Sequence, residues 1–333
     1  MRGGAGVTSP SIPGRQPFTC MSQKPLGVRH LTVDERGEGQ RIDNFLLREL
    51  KGVPRAMIYR LLRRGEVRVN KGRAKAGRRL VAGDVVRIPP LRQASRPESG
   101  TPPEWLLEKI ERMVMYEDNL LLILNKESGL AVHGGSGLSF GVIELLRASR
   151  PKERALELAH RLDRDTSGCL MVAKRRSALR TLQALQREGK VHKRYLALLS
   201  GRWEADRATV KAPLKKNILR GGERMVTVSP QGKPAHTEFR VVRRFQEATL
   251  VEAVLKSGRT HQIRVHAAHL GTPILGDTRY GDEAANRAFR KQGLKRLFLH
   301  AASLRFPWPD RERPYRFEAP LSPELEQLLE RLE

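Results

Sequence analysis

The sequence is poor in cysteine, in acids and in long apolar runs. Only Cys20 and Cys169 occur in 333 residues, so the chain offers neither a disulfide framework nor the paired spacing of a zinc module. No run of about 18 apolar residues is present, which excludes a transmembrane helix. These absences predict a soluble protein of the reducing cytoplasm.

The amino-terminal stretch also lacks the apolar central block of a secretory signal. Residues 1–30 are rich in Gly, Ser, Pro and Arg and nearly free of acids, and we expect this extension to be disordered. An organellar transit peptide and a translation start at Met21 are the alternatives.

Acids are scarce relative to bases throughout the chain. The 63 Lys and Arg residues face 36 Asp and Glu, a formal net charge of +27. A surface of this charge attracts polyanions and releases their counterions on binding. The composition therefore predicts a nucleic-acid partner.

Residues 31–90 carry the pattern of a small helix, helix, hairpin module. Ile42, Phe45 and Leu46 recur at helical spacing, Pro54 opens a second helix, and Gly65 ends it. Further along, a strand over 67–69, a turn over 70–72 and a closing strand over 85–88 are expected.

The charge of this module is one-sided. Residues 51–80 contain eleven bases and a single acid, Glu66, whereas an ordinary solvated helix face mixes both signs. We therefore favour phosphate binding. The candidate RNA contacts are Arg55, Arg60, Arg63, Arg64, Lys71 and Arg73.

The stretches Arg41–Leu46 and Gly65–Asn70 make the module similar to the S4 domain, a small RNA-binding fold. That resemblance implies recognition of folded RNA mainly by shape and backbone.

A Pro-rich, polar stretch over residues 91–103 predicts a linker to a second domain over 104–333. Strand patterns outnumber helical ones there and do not alternate regularly with them, which predicts an α+β fold around a mixed, largely antiparallel sheet. The expected strands are 120–124, 249–255 and 296–304, and the expected helices are 177–186 and 323–332.

The stretch His160–Gly168 is the most informative part of the second domain. Apolar strand segments flank it, so Asp163 is expected at the end of an element, facing a cleft between Arg161 and Arg164. It could act as a nucleophile, a general acid or base, a metal ligand or a structural ion-pair partner. Metal-type histidine spacing is absent, and Asp165 lies too close along the chain to form a glycosidase pair.

Two other constellations carry candidate chemistry. If Gly258–His266 is a strand, Arg259 and His261 share one side while Arg264 and His266 share the other. Two arginines and two histidines suit phosphate contact, and a basic surface strand is the alternative. Tyr195 ends a basic pair at the start of an apolar strand, where a lone tyrosine is more often a core residue.

Together these residues resemble the RluA-type pseudouridine synthases, whose motif is His-Arg-Leu-Asp followed two residues later by Thr-Ser-Gly. The resemblance implies isomerisation of uridine in large-subunit ribosomal RNA by a monomer that needs no cofactor and no metal. Asp163 matches the family's essential aspartate, Tyr195 the aromatic that packs on the target base, and Arg264 the basic residue paired with the aspartate.

Arg161 matches the arginine that helps to extrude the nucleotide, at a cost on the order of a few kcal/mol for unstacking. His160, Arg259 and His261 are the other expected substrate contacts. Two rival functions are a catalytically inactive S4-domain factor for ribosome assembly and a metal-independent RNA-cleaving enzyme with His160 and His261 as acid and base.

Overall fold

The chain divides into two compact units, residues 1–98 and 99–333. A computed structural model describes residues 27–35, 37–50, 53, 55–90, 101–134, 140–218 and 224–333. The disorder expected for residues 1–26 and the linker expected over 91–100 lie outside these described residues. The domain boundaries drawn from the sequence remain predictions.

The first unit is the expected helix, helix, hairpin module with one strand added. Its elements are β1 (Arg29–Thr32), α1 (Ile42–Glu49), α2 (Arg55–Arg64), β2 (Arg68–Val69), β3 (Gly72–Arg73) and β4 (Val85–Ile88). The antiparallel sheet has the order β1-β4-β2-β3. β1 pairs with β4 from Arg29 onward, so Arg29 and His30, the last two residues of the extension expected to be disordered, lie in a strand.

The helix face, the helix end and the turn predicted for this unit are all present in the structure. Ile42, Phe45 and Leu46 are buried on one face of α1, and Gly65 ends α2 with a φ of +70°, a conformation that glycine adopts without a steric penalty. Asn70 and Lys71 both have positive φ, as the tight turn between β2 and β3 requires.

The second unit is built on one large sheet. Its strands are β5 (Val114–Glu117), β6 (Leu121–Lys126), β7 (Glu157–Leu158), β8 (Ser167–Ala173), β9 (His192–Ser200), β10 (Arg207–Lys211), β11 (Leu214–Ile218), β12 (Arg224–Val228), β13 (His236–Arg244), β14 (Ala248–Leu255), β15 (Leu299–Phe306) and β16 (Tyr315–Glu318). Ten of them form the path β10-β13-β14-β9-β15-β8-β6-β5, with β16 beside β15 and β7 beside β8. The pairing of β8 with β15 is parallel.

Helices and a separate hairpin complete this unit. The helices are α3 (Glu104–Arg112), α4 (Val142–Ser149), α5 (Arg176–Arg187), α6 (Gln262–His269), α7 (Glu283–Lys291) and α8 (Pro323–Arg331), while β11 and β12 pair only with each other. The mixed, antiparallel-rich α+β fold is therefore confirmed. No helix of the described ranges is long and apolar enough to cross a membrane.

The interior of the second unit follows its apolar runs. Residues 121–124 and all of β8 are buried, and the strands expected near residues 120 and 249 and the helices expected near 177 and 323 are confirmed. The strand expected from residue 296 starts three residues later. Arg296 precedes it, and its guanidinium donates to Ser167 Oγ at 2.6 Å.

The strand expected over 258–266 was wrong. The chain turns after β14, and α6 starts at Gln262, whose side-chain oxygen accepts from the backbone N–H of Arg259 at 3.0 Å and from Ser257 Oγ at 2.9 Å. Its amide donates to Thr237 Oγ1 and to the His236 carbonyl. These contacts with β13, which is distant in sequence, determine that the segment is helical. A local pattern of alternating residues carries no information about them.

Candidate active site

Asp163 lies in the loop that joins β7 to β8, and the backbone around it is held on two sides. The Lys126 ammonium, fully buried, donates to the Arg164 carbonyl at 3.0 Å and to two further carbonyls. At the end of the motif Gly168 has a φ of +105°, and a Cβ there would lie 2.3 Å from the Ala301 carbonyl oxygen. Only glycine allows β8 to approach β15 this closely.

The Asp163 side chain is 21 % exposed and opens into a cavity of about 510 Å³. That volume is within the range of small-molecule sites, roughly 300–1,000 Å³. The cavity brings together every catalytic and substrate-contact residue expected for this unit: His160, Arg161, Asp163, Tyr195, Arg259, His261 and Arg264.

The Arg264 guanidinium is shared between two carboxylates. It makes a bidentate pair with Asp277, at 2.7 Å for both nitrogen–oxygen contacts, while its Nη1 is 4.0 Å from Asp163 Oδ2. Burial by itself would raise the pKa of Asp277, but the hydrogen bonds from Arg264 and from two backbone amides outweigh it, and the pKa lies below its usual value. Asp277 therefore fixes the guanidinium so that its free edge faces Asp163.

The expectation that Arg161 and Arg164 flank the Asp163 carboxylate was wrong. Arg164 turns away to pair with Asp165 at 3.2 Å, and Arg161 is exposed at the cavity wall. Residues adjacent in sequence point in different directions in a turn, so side chains from another part of the chain approach the carboxylate instead. The Arg264 guanidinium and the His261 ring, both from the start of α6, are the groups next to Asp163.

His261 is held in an unusual conformation beside the carboxylate. Its backbone is left-handed, with a φ of 54°, which is uncommon for a residue other than glycine. Its Nδ1 lies 2.8 Å from the Tyr280 hydroxyl, and its Nε2 lies 3.9 Å from Asp163 Oδ1. Burial lowers the pKa of His261, although Asp163 opposes the shift.

Tyr195 lies on β9 with only 7 % of its surface exposed. Burial, and then the charge of Asp163, raise the pKa of its hydroxyl above the usual value. The hydroxyl therefore stays protonated near neutrality, and Tyr195 lines the cavity in that form. A direct proton transfer through a lowered pKa is not supported by this environment.

His160 belongs to the wall of the cavity rather than to its chemistry. Its Nε2 accepts from the backbone N–H of Met171 at 3.1 Å, and burial lowers its pKa well below the usual value. A ring held neutral in this way cannot serve as the general acid that the RNA-cleaving alternative requires.

Asp277, Tyr280 and Lys126 are site residues that the sequence reasoning did not identify as functional. Each of them holds another side chain or a backbone segment in place. Indirect contacts of this kind produce no recognisable spacing of residues along the sequence. The available hint was the pair of glycines, Gly276 and Gly281, that lie on either side of Asp277 and Tyr280. Gly276 has a φ of +78°, and a Cβ there would lie 2.0 Å from the Arg296 carbonyl oxygen. Among the residues that the structure describes, no group of three or more His, Cys, Asp or Glu could hold a metal ion.

In the first unit the expected RNA contacts form an exposed basic face. Arg60, Arg63, Arg64, Lys71 and Arg73 are all exposed, and among them Arg64 has a long contact of 3.8 Å with Glu66. The side chain of Arg55 lies outside the described part. We call these five exposed residues the basic face.

Comparison with known proteins places this site in a family. The RNA pseudouridylate synthase family matches residues 120–269, and the S4 domain family matches residues 40–86. The chain belongs to the RNA pseudouridylate synthase family and is an enzyme of the isomerase class.

Particular relatives make the assignment more specific. The chain is 55% identical over 307 residues to the ribosomal large subunit pseudouridine synthase C of Escherichia coli (strain K12), covering 91% of this chain and 95% of that protein. It is 54% identical over 305 residues to the protein of the same name from Pasteurella multocida (strain Pm70), covering 91% and 93%. The solved structure of human RNA pseudouridylate synthase domain containing 4 matches with a TM-score of 0.58 and 25% identity, over 68% of this chain and 95% of that one.

Proposed function

We propose that this chain converts specific uridines of large-subunit ribosomal RNA to pseudouridine. The observation that carries the proposal is the cavity in which the Asp163 carboxylate faces the Arg264 guanidinium beside the ring of Tyr195. The identity above 50% with two proteins named for the large ribosomal subunit supports the substrate.

The reaction exchanges one bond for another within a single nucleotide. The bond between the base nitrogen and the ribose breaks, the base turns, and a ring carbon joins the same ribose carbon. The proton displaced from that ring carbon is balanced by one gained at the freed nitrogen. Asp163 either attacks the nucleoside or removes a sugar proton, and the fixed guanidinium of Arg264, 4.0 Å away, orients the carboxylate for both routes.

The other cavity residues would hold the nucleotide outside its helix. A base stacked in RNA is out of reach of Asp163, so it must be extruded, which costs on the order of a few kcal/mol. Arg161, exposed at the cavity wall, is suited to fill the space that the base leaves. Tyr195 would pack on the extruded base, while His160, Arg259 and His261 line the cavity around it.

The basic face would supply affinity in a different way. Its exposed cations are free to meet phosphates, and each neutralised phosphate releases counterions. We further propose that Arg55 joins this face, that residues 31–90 and 104–333 are separate domains, and that the enzyme acts as a monomer in the cytoplasm. A sedimentation measurement that gave a dimer mass would contradict the monomer.

The test of the function is a map of pseudouridine in ribosomal RNA. Purified protein is incubated with unmodified large-subunit RNA without added metal or nucleotide, and carbodiimide adducts are then located by reverse-transcription stops. We expect new stops at a small set of uridines, and loss of the same stops in RNA from cells that lack the gene. Unchanged stops at every uridine would contradict the proposal.

A further inference from the structure

The cavity around Asp163 contains one acid and an excess of fixed positive charge. Its lining includes Arg161, Lys193, Lys256, Arg259 and Arg264, and Asp163 is its only carboxylate among the described residues. Most of these cations are accounted for: Arg264 pairs with Asp277, Lys256 pairs with Glu238 at 3.4 Å, and Arg161 and Arg259 are exposed.

Lys193 is the exception in this set. Lys193 is partly buried. The only hydrogen bond of its ammonium within the described part of the chain is the one that it donates to the neutral Gln186 Oε1, at 3.2 Å. No carboxylate of the described residues lies within ion-pairing distance of its ammonium. Two of its three N–H donors therefore have no acceptor within the described ranges.

The position of Lys193 is nevertheless fixed. Gln186 donates from its amide to the Ala159 carbonyl at 2.9 Å, so the contact ties the lysine to the residue just before the His160–Gly168 motif. Lys193 and Tyr195 are two residues apart on β9, and side chains at this spacing face the same side of a strand, roughly 6–7 Å apart. The ammonium therefore lies on the substrate side of Tyr195.

Burial of an ammonium without a counter-charge is unfavourable. Accordingly, burial lowers the pKa of Lys193 to about 8. Burial also lowers the pKa of the fully buried Lys126, to about 7, but the ammonium of Lys126 has three carbonyl acceptors, whereas that of Lys193 has one amide oxygen. A lysine that lacks such acceptors but is aimed into a catalytic cavity fits a ligand that arrives with its own negative charge.

We propose that the Lys193 ammonium binds a non-bridging oxygen of the phosphodiester group that flanks the target nucleotide, while Tyr195 covers the base. The inference rests on the proposed function, because only an RNA substrate brings a phosphate and a base into the same cavity. Lysine is suited to this contact, since it binds phosphate as a compact point charge. The bound phosphate would supply the missing counter-charge.

The test combines a protein change with a substrate change. Lys193→Met keeps the length and apolar stem of the side chain but removes its charge. The substrate is an RNA fragment that spans a mapped target uridine, made with either natural linkages or one uncharged methylphosphonate on the 5′ or the 3′ side of that uridine. Initial rates give kcat/KM for both proteins on each fragment.

For the wild-type enzyme, we expect one of the two methylphosphonates to lower kcat/KM by about tenfold or more, the effect of losing a charged hydrogen bond. Lys193→Met should lose a similar factor on the natural fragment and nothing further from that methylphosphonate. Such non-additivity identifies two groups that touch each other. If the losses in kcat/KM from Lys193→Met and from the methylphosphonate multiply independently, the proposal is overturned. It is also overturned if Lys193→Met accepts cytidine in place of uridine.

The thermal midpoint is a second measurement that separates the proposed role from a merely structural one. Replacement of a merely structural lysine would lower the midpoint. Lys193→Met should leave the thermal midpoint unchanged or raise it, because an uncompensated charge is removed. The matched control is Lys190→Met, which removes an exposed lysine paired with Glu188 at 2.8 Å and should leave kcat/KM unchanged. A Lys193→Met midpoint well below that of wild type would contradict the subsite.

The two proposals fail in different ways. If the wild-type enzyme does not convert the natural fragment, the proposed function is wrong. If it converts the fragment and Lys193→Met does so equally well with an unchanged salt dependence, only the phosphate subsite is wrong.

Discussion

The two units of this chain use positive charge in contrasting ways. On the basic face, Arg60, Arg63 and Lys71 are exposed and have no fixed carboxylate partner in the described residues. In the cavity, Arg264 is 5 % exposed and bound along one edge, through Nε and Nη2, by Asp277. The first arrangement leaves each cation mobile and interchangeable, whereas the second gives one cation a single position.

This difference explains what each unit can contribute. Exposed cations add small, similar increments to affinity, and salt screens all of them. A guanidinium fixed in a partly dry cavity has no such redundancy, because chemistry requires reacting groups to be positioned within fractions of an ångström. The cavity should therefore be sensitive to single changes, and the basic face should respond only in proportion to the charge removed.

The largest expected effect is that of Asp163→Asn. Loss of the carboxylate should lower the rate of pseudouridine formation by on the order of a thousandfold or more. RNA affinity and the thermal midpoint should remain close to wild type, since the carboxylate lies 3.9 Å from His261 and 4.0 Å from Arg264 and contributes little to folding.

Asp165→Asn is the control for that change. Asp165 is two residues away, and its pair with Arg164 is at the surface, so the rate should stay within about fivefold of wild type. Equal losses in the two variants would remove the distinction between a working and a structural carboxylate in this motif.

Asp277→Asn should be the most destabilising charge change in the cavity. It leaves the buried Arg264 without its counter-charge, and breaking such a pair costs about 3–5 kcal/mol in the free energy of unfolding. The control Glu283→Gln breaks the exposed pair with Arg287 and should cost less than about 1 kcal/mol. Chemical denaturation of both variants measures the contrast, and similar values would contradict it.

The same variant makes a prediction about pH. Because the pKa of Asp277 is lowered in the folded state, its stabilisation is complete above the unfolded-state pKa of about 3.9 and is lost as the pH falls through the folded-state pKa. The difference in stability between wild type and Asp277→Asn should therefore be constant near neutrality and shrink below about pH 4. A difference that grew with acidification would show that the sign is wrong.

Gly168→Ala tests the backbone that carries Asp163. A methyl group there would collide with the Ala301 carbonyl at a positive φ, and we expect a loss of about 3 kcal/mol in unfolding free energy. Gly271→Ala is the control, because Gly271 also has a positive φ, of +76°, but open space around it. Its cost should be about 1–2 kcal/mol, and an equal cost at both positions would mean that close approach of β8 to β15 does not matter.

The smallest effect per residue is expected on the basic face. Replacing Arg63 and Arg64 together by Gln should weaken RNA binding and reduce the slope of log affinity against log salt by about 0.7–0.9 for each phosphate that the variant no longer neutralises. The free energy of unfolding should change by less than about 0.5 kcal/mol. A filter-binding titration at several salt concentrations measures the slope, and an unaltered slope would contradict the proposed role of this face.

Much of the architecture could be read from local pattern. Ile42, Phe45 and Leu46 predicted α1, and the apolar run from Leu120 to Leu124 predicted β6, since a helix with one buried face leaves a periodic pattern and a fully buried strand leaves a continuous apolar run. The segment over 258–266 could not be read in this way. Its helix begins because Gln262 reaches Thr237 and His236 on β13, residues more than 20 positions distant in sequence.

The candidate site likewise has features that local sequence predicts and features that it does not. The resemblance of its motifs to a known family nominated Asp163, Tyr195 and Arg264, whereas residue types and spacing alone left several roles open for Asp163 and favoured a core position for Tyr195. They were insufficient to say that Asp277, not Asp163, is the close partner of Arg264, or that His261 and not Arg161 stands beside the carboxylate. The sequence alone predicted candidate residues that line the cavity and the charge of its surroundings, but not Asp277, Tyr280 and Lys126, which hold the site in place. Only tertiary structure decided which cation meets which carboxylate, because ion pairs depend on distances between segments that the linear order does not contain.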